Sequence, residues 1–176
     1  FTLYNPQNIS RQPEPNNVQY EIAFVGRFEP QKDPLRFIDI VTMLPIETRA
    51  VMVGNGSLFP KIKQRVQTGN LTERIKVLSY SPENVTQVLS SSLLFVLTSK
   101  YEGMPNVVFE ALSNGAQVLA TKDASGPTEI LPDRFIIQTN QNLEFTEKII
   151  AVLNNDLENL KFQEWKNISE KFSSES

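Results

Sequence analysis

The chain has neither cysteine nor histidine in its 176 residues. Without cysteine there is no disulfide framework and no thiolate nucleophile. Without histidine, His-dependent triads, most zinc sites and the usual neutral-pH base are excluded. A basic excess is missing too: 17 Lys and Arg stand against 20 Asp and Glu, a net charge of −3. Wrapping nucleic acid needs a clear surplus of Lys and Arg, so no nucleic-acid partner is expected. No apolar run approaches the roughly 20 residues of a membrane span. Residues 1–11 are polar, without the charged start and apolar stretch of a signal peptide. Asn-x-Ser/Thr sequons start at Asn8, Asn55, Asn70, Asn84 and Asn167. With no other secretory sign they are taken as chance matches, and a cytoplasmic setting is expected. Any chemistry must therefore come from carboxylates, lysine, arginine, hydroxyls and backbone dipoles.

What is present suits one α/β domain with a real core. Residues 1–17 hold Pro6, Pro13 and Pro15 without periodicity, which predicts a linker following a further, upstream domain. From Tyr20 onward, short apolar runs alternate with helical patterns. Strands are predicted at 20–25, 50–53, 75–78, 93–97, 117–120 and 135–137. Helices are predicted from Asp33-Pro34, with Leu35, Ile38 and Val41 on one face, and from Ser57, with Leu58, Ile62 and Val66 on one face. Others follow at 82–90, at 106–114 closed by Gly115, through Glu129 after a loop at 122–126, at 143–153, and at 157–172. The alternation implies a Rossmann-like parallel sheet with helices on both faces, spanning 18–155, followed by a C-terminal helix within 156–176. Ligands bind beyond the carboxyl ends of such strands, so the loops after Val25, Val53, Leu78, Leu97 and Ala120 are predicted to share one rim.

Two stretches on that rim carry chemistry. Glu102-Gly-Met-Pro-Asn-Val-Val-Phe-Glu110 is a loop feeding a helix. The helix start offers unpaired N–H groups and the positive end of a dipole, which suit an anion. Glu102 precedes that site and Glu110 lies about one turn inside the helix. Spacing alone also allows a solvated loop carboxylate and a surface helix carboxylate. Arg27 and Lys32 lie on the loop after the first strand, where they could clamp a diphosphate or be ordinary surface charge. Gly54-x-Gly56 permits a backbone to approach a ligand, or a simple turn. No Asp-x-Asp pair is available for a metal.

Taken together, Gly26-Arg27 with Lys32, Gly54-x-Gly56, Glu102-Gly-x-Pro-Asn with Glu110-Ala and Gly115, and Ser125-Gly126 with Glu129 resemble a known pattern. It is that of the C-terminal, donor-binding domain of GT-B-fold retaining glycosyltransferases of family four. Glu102 and Glu110 match that family's E-x7-E motif. The resemblance runs from about Asn5 to Leu153, and Tyr4-Asn5-Pro6 resembles the family's domain junction. It implies that Arg27 and Lys32 hold the diphosphate of a nucleotide sugar, with Gly26, Gly54 and Gly56 in the donor site. Backbone N–H groups of Gly103 and Met104 meet sugar hydroxyls, and those of Asn106 and Val107 the distal phosphate. Glu102 binds the sugar, Glu110 the ribose, and Ser79 and Tyr80 the base. On this assignment Glu102, Arg27 and Lys32 serve catalysis, and loss of Glu102 leaves bare-nucleotide binding nearly untouched.

Several residues depart from the family pattern. Pro105 has no N–H. Asp33 and Ser79 stand where glycine is usual, Gln117 stands where proline is common, and residues 122–126 lack the usual glycine pair. The implied activity is retaining transfer from a nucleotide sugar, a UDP-sugar favoured, to a glycan or lipid-linked acceptor, with no cofactor or metal. The implied partner is an N-terminal acceptor domain, through which alone the chain would contact a membrane. A sugar-nucleotide epimerase of the same architecture, or a non-catalytic nucleotide-binding module, are the alternatives.

Overall fold

In the computed structural model the described residues are 18–103, 106–138, 141–158 and Glu164. The expected linker at 1–17, most of the expected C-terminal helix, and Met104 and Pro105 lie outside them. Six strands form one sheet: β1 (Tyr20–Val25), β2 (Ala50–Val53), β3 (Ile75–Leu78), β4 (Ser92–Leu97), β5 (Gln117–Thr121) and β6 (Ile136–Ile137). Their order is β3-β2-β1-β4-β5-β6, and every pairing is parallel. The helices are α1 (Pro34–Met43), α2 (Phe59–Thr68), α3 (Pro82–Ser90), α4 (Asn106–Ser113), α5 (Ser125–Ile130) and α6 (Asn142–Leu153). Helix α1 packs on α2 and α6, and α3 on α4. Right-handed crossovers place these two groups on opposite faces of the sheet. This is the expected Rossmann-like architecture.

The central strands read as unbroken apolar runs because both of their faces are covered. All of β2 is buried, and β4 is buried apart from Leu93. Phe24, Phe28, Phe37, Phe95, Phe135 and Phe145 are almost wholly removed from water, each worth about 1.5–3 kcal/mol relative to exposure. Phe28 matters most for the site. It lies past the end of β1, with its ring centroid 5.9 Å from Phe24 and 5.6 Å from Phe59. This contact anchors the β1–α1 loop to the core.

Local signals acted as expected at some helix ends and not at others. Ser81 caps α3, its hydroxyl accepting the Asn84 N–H at 3.1 Å. Gly115, at φ 89°, lets the chain leave α4 while the Ala116 N–H returns to the Ala111 carbonyl at 3.0 Å. Asp33 does not cap α1 with its side chain; it adopts a left-handed backbone at φ 47°. Leu58, not Ser57, is the residue preceding α2, because the Ser57 hydroxyl is taken by Glu29. Ser125, expected in the loop, already begins α5. Phe135, expected in the last strand, closes a 3-10 turn at Asp133–Phe135, leaving two residues for β6. On α1, Ile38 and Val41 are buried as expected, joined by Phe37 and Ile40, while Leu35 is half-buried.

Candidate functional site at the switch point

Strand order reverses between β1 and β4, which opens a crevice above their carboxyl ends. The loops on either side are held by direct hydrogen bonds. The Thr98 hydroxyl donates to the carbonyls of Lys32 and Asp33 at 2.9 and 3.1 Å. The Lys100 N–H reaches the Gln31 carbonyl at 2.9 Å, and the Gln31 side-chain amide reaches the Tyr101 carbonyl at 3.0 Å. The β2–α2 loop joins them: Glu29 accepts the Ser57 N–H at 2.8 Å and its hydroxyl at 2.6 Å. The Ser57 hydroxyl and N–H hold the Glu29 carboxyl below the usual glutamate range. From the β5 side, the Ser125 hydroxyl donates to the Glu102 carbonyl at 3.1 Å. Backbone positions around the crevice are therefore fixed by protein contacts.

The crevice holds a cavity of about 680 Å³, within the size range of small-molecule sites. Its charged lining is Arg27, Glu29, Lys32, Glu102 and Glu110. Arg27 is exposed, and its guanidinium donates to the Gln31 side chain at 3.1 Å. Lys32 forms an ion pair with Glu102 across the switch point, with the two side chains 15% and 8% exposed. The stem of Lys32 runs along Gly26, where an added Cβ would lie 3.8 Å from its Cγ and Cδ. Glu110 is half-buried. Burial raises its carboxyl above the usual glutamate range.

Most residues singled out in the sequence converge here. Gly26, Arg27, Lys32, Gly56, Tyr80, Glu102, Asn106, Val107 and Glu110 all line the cavity. Tyr80 is 56% exposed and stands on the far side, after β3. Asn106 and Val107 open α4, so their N–H groups are among those the helix leaves unpaired. Gly54, Ser79 and Gly103 are not in the lining. A Cβ on Gly54 would stand 2.0 Å from the Gly26 carbonyl oxygen, so this glycine brings two protein loops together. Ser79 offers its carbonyl to the Asn84 amide at 2.9 Å. Gly103 faces open space. Met104 lies outside the described residues. Sequence reasoning missed Glu29, Asn55 and Val85, which also line the cavity. Glu29 and Ser57 are 28 positions apart, and nothing local signals their pairing. Among the described residues, no group of three or more His, Cys, Asp or Glu could hold a metal ion.

A crevice with two cations, a helix start and carboxylates at a parallel-sheet switch point suits a phosphate-bearing ligand. The family model for glycosyl transferases, group 1, matches residues 6–171. The chain belongs to that family. Among the relatives of this group 1 member is the UDP-Gal:alpha-D-GlcNAc-diphosphoundecaprenol alpha-1,3-galactosyltransferase of Escherichia coli. It is 29% identical over 157 residues, covering 84% of this chain. The poly(ribitol-phosphate) alpha-N-acetylglucosaminyltransferase of Staphylococcus aureus is 26% identical over the whole chain. The chain spans 40% and 37% of those two relatives' own lengths. A crystal structure of S. aureus TarM, containing UDP and alpha-GlcNAc-glycerol, matches with a TM-score of 0.78 and 25% identity. That match covers 90% of this chain and 34% of the other.

Proposed function

We propose that this group 1 glycosyl transferase chain is the C-terminal, nucleotide-sugar-binding half of a retaining GT-B enzyme of glycosyltransferase family four. It would move a sugar from a nucleoside-diphosphate sugar, a UDP-sugar favoured, to a glycan or lipid-linked acceptor. The observation that carries this reading is the convergence of Arg27, Lys32, the start of α4, Glu102 and Glu110 on one cavity at the switch point. The relatives named for UDP-Gal and for an N-acetylglucosaminyl group support the donor class. Because the chain spans about two fifths of those relatives, the acceptor site is assigned to a separate N-terminal domain. Membrane contact would run through that domain, at the cytoplasmic face. Among the described residues, no helix is long and apolar enough to cross a membrane.

The mechanism follows from charge. As the sugar departs, it becomes oxocarbenium-like and negative charge grows on the diphosphate. Arg27, Lys32 and the N–H groups of Asn106 and Val107 would stabilise that charge with preorganised dipoles and cations. Glu102 would accept hydrogen bonds from the sugar, to whose hydroxyls the family resemblance also assigns the N–H groups of Gly103 and Met104. Glu110 would accept from the ribose, and Tyr80, which lines the cavity, would meet the base. With attack on the face the diphosphate leaves, the departing phosphate takes the acceptor's proton. That route asks no histidine and no metal of this half. The chain by itself is then expected to bind nucleotide and transfer no sugar to an acceptor. Titrating UDP, GDP and ADP by calorimetry, followed by a transfer assay on the chain alone, tests this. Full-rate transfer by the chain alone would contradict the division of labour.

A further inference from the structure

Lys32 already has an anionic partner. Its ammonium pairs with the Glu102 carboxylate, and both side chains are largely withdrawn from water. Both backbones are tied to neighbouring elements. The Lys32 carbonyl is bound by Thr98, and that of Glu102 by Ser125. The Lys32 stem lies along Gly26, whose N–H is bound to the Val53 carbonyl at 3.0 Å. An exchange of partners at this point can be made by side-chain rotation without breaking these backbone contacts.

From this geometry, and resting on the donor-site reading above, we infer that Glu102 competes with the diphosphate for Lys32 and so sets the site's preference for donor over product. A nucleoside diphosphate that draws Lys32 onto its phosphates leaves Glu102 a partly buried carboxylate without its cation, next to added negative charge. A nucleotide sugar supplies hydroxyls that donate to Glu102 at the same moment, so both ends of the broken pair are satisfied. The bare nucleotide thus binds against a larger cost than the nucleotide sugar. After transfer, the product lacks the hydroxyls that held Glu102, and Glu102 recaptures Lys32. The pair favours loading of the donor and release of the spent nucleotide. The family resemblance implies instead that loss of Glu102 leaves bare-nucleotide binding nearly untouched, so the two readings predict different titrations.

The test is calorimetry with UDP and with UDP-glucose on the wild type, Glu102→Gln, Lys32→Gln and the double variant. Glu102→Gln keeps the size of the side chain and removes its charge; Glu102→Ala serves as a second variant, and melting curves establish that each is folded. Glu102→Gln should bind UDP about threefold or more tighter than wild type, because Lys32 is no longer held in a competing state. It should bind UDP-glucose no tighter, so the donor-to-product affinity ratio falls. In the Lys32→Gln background the same change should give a clearly smaller gain, since only the repulsion between Glu102 and the phosphates is then relieved and the competition for Lys32 is gone. Unchanged or weaker UDP binding by Glu102→Gln overturns the inference and leaves the donor-site reading standing. So does an equal gain with Lys32 absent. Wild-type protein that binds neither UDP nor UDP-glucose, nor the GDP and ADP counterparts, overturns both.

Discussion

Lys32 and Glu102, 70 positions apart in sequence, meet as an ion pair directly over the point where the strand order reverses. One arrives on the loop after β1 and the other on the loop after β4. The pair shows that the topology brings together the two groups assigned, respectively, to the phosphates and to the sugar of one ligand. The function proposed here depends on that convergence more than on any single motif.

Arg27 is exposed; its guanidinium donates to Gln31, a neutral side chain, and the nearby Glu29 carboxylate attracts it through space, the weakest of the influences on that carboxyl. A charge-assisted contact to a phosphate is worth about 1.5–3 kcal/mol. Arg27→Ala is expected to weaken UDP binding roughly tenfold or more and to leave binding of uridine nearly unchanged. Calorimetry with the two ligands checks it. Equal losses for both would show that the loop does not face phosphate.

Glu110 makes binding depend on pH. Burial raises its carboxyl above the usual value of about 4.5. A carboxyl raised in the folded state favours folding below its unfolded value, and that contribution is lost as pH rises through the folded value. Ribose hydroxyls donate to the ionised form, so nucleotide affinity should fall as pH drops through the same interval. Glu110→Gln should remove this dependence and add stability at neutral pH. The difference between wild-type and variant curves separates the carboxylate from the titration of the nucleotide's own phosphate. Identical curves would remove Glu110 from the site.

Two glycines should behave differently when replaced by alanine. At Gly54 a Cβ would meet the Gly26 carbonyl oxygen at 2.0 Å and the Phe28 ring at 2.8 Å. Gly54→Ala is expected to destabilise the fold by about 1–3 kcal/mol, as overpacking does. At Gly103 an added Cβ meets nothing within 4 Å. Gly103→Ala should change stability by no more than about 0.5 kcal/mol. Urea denaturation of both variants decides it; equal effects would contradict the close approach of the β1 and β2 loops.

Much of this was legible in the sequence because it is local. Ile22–Val25 and Leu94–Leu97 are apolar runs, and runs of that kind announce buried parallel strands. Ser81-Pro82 announces a helix start, and the structure has one there. Two of the failures, at Ser57 and Asp33, have a common cause, a distant partner. Ser57 looks like a helix cap, but Glu29 takes its hydroxyl. Asp33 looks like a cap too, yet the hydroxyl of Thr98 holds its carbonyl and Lys100 lies 3.8 Å from its carboxylate. Its left-handed backbone gives the reason glycine suits that position. In sequence, Gly54-x-Gly56 suits either a ligand approach or a turn. Gly54 instead serves a contact between loops, while Gly56 also lines the cavity. Phe135 has strand propensity, but a 3-10 turn ahead of β6 takes it out of the sheet.

The measurement that bears most directly on the central claim is a calorimetric titration of the chain with UDP and UDP-glucose, repeated with the Arg27→Ala, Lys32→Ala double variant. The account predicts saturable binding of both ligands at one site, and loss of both when the two cations are removed. A folded wild-type chain that binds neither ligand, nor GDP or ADP, or a double variant that binds as well as wild type, would contradict it.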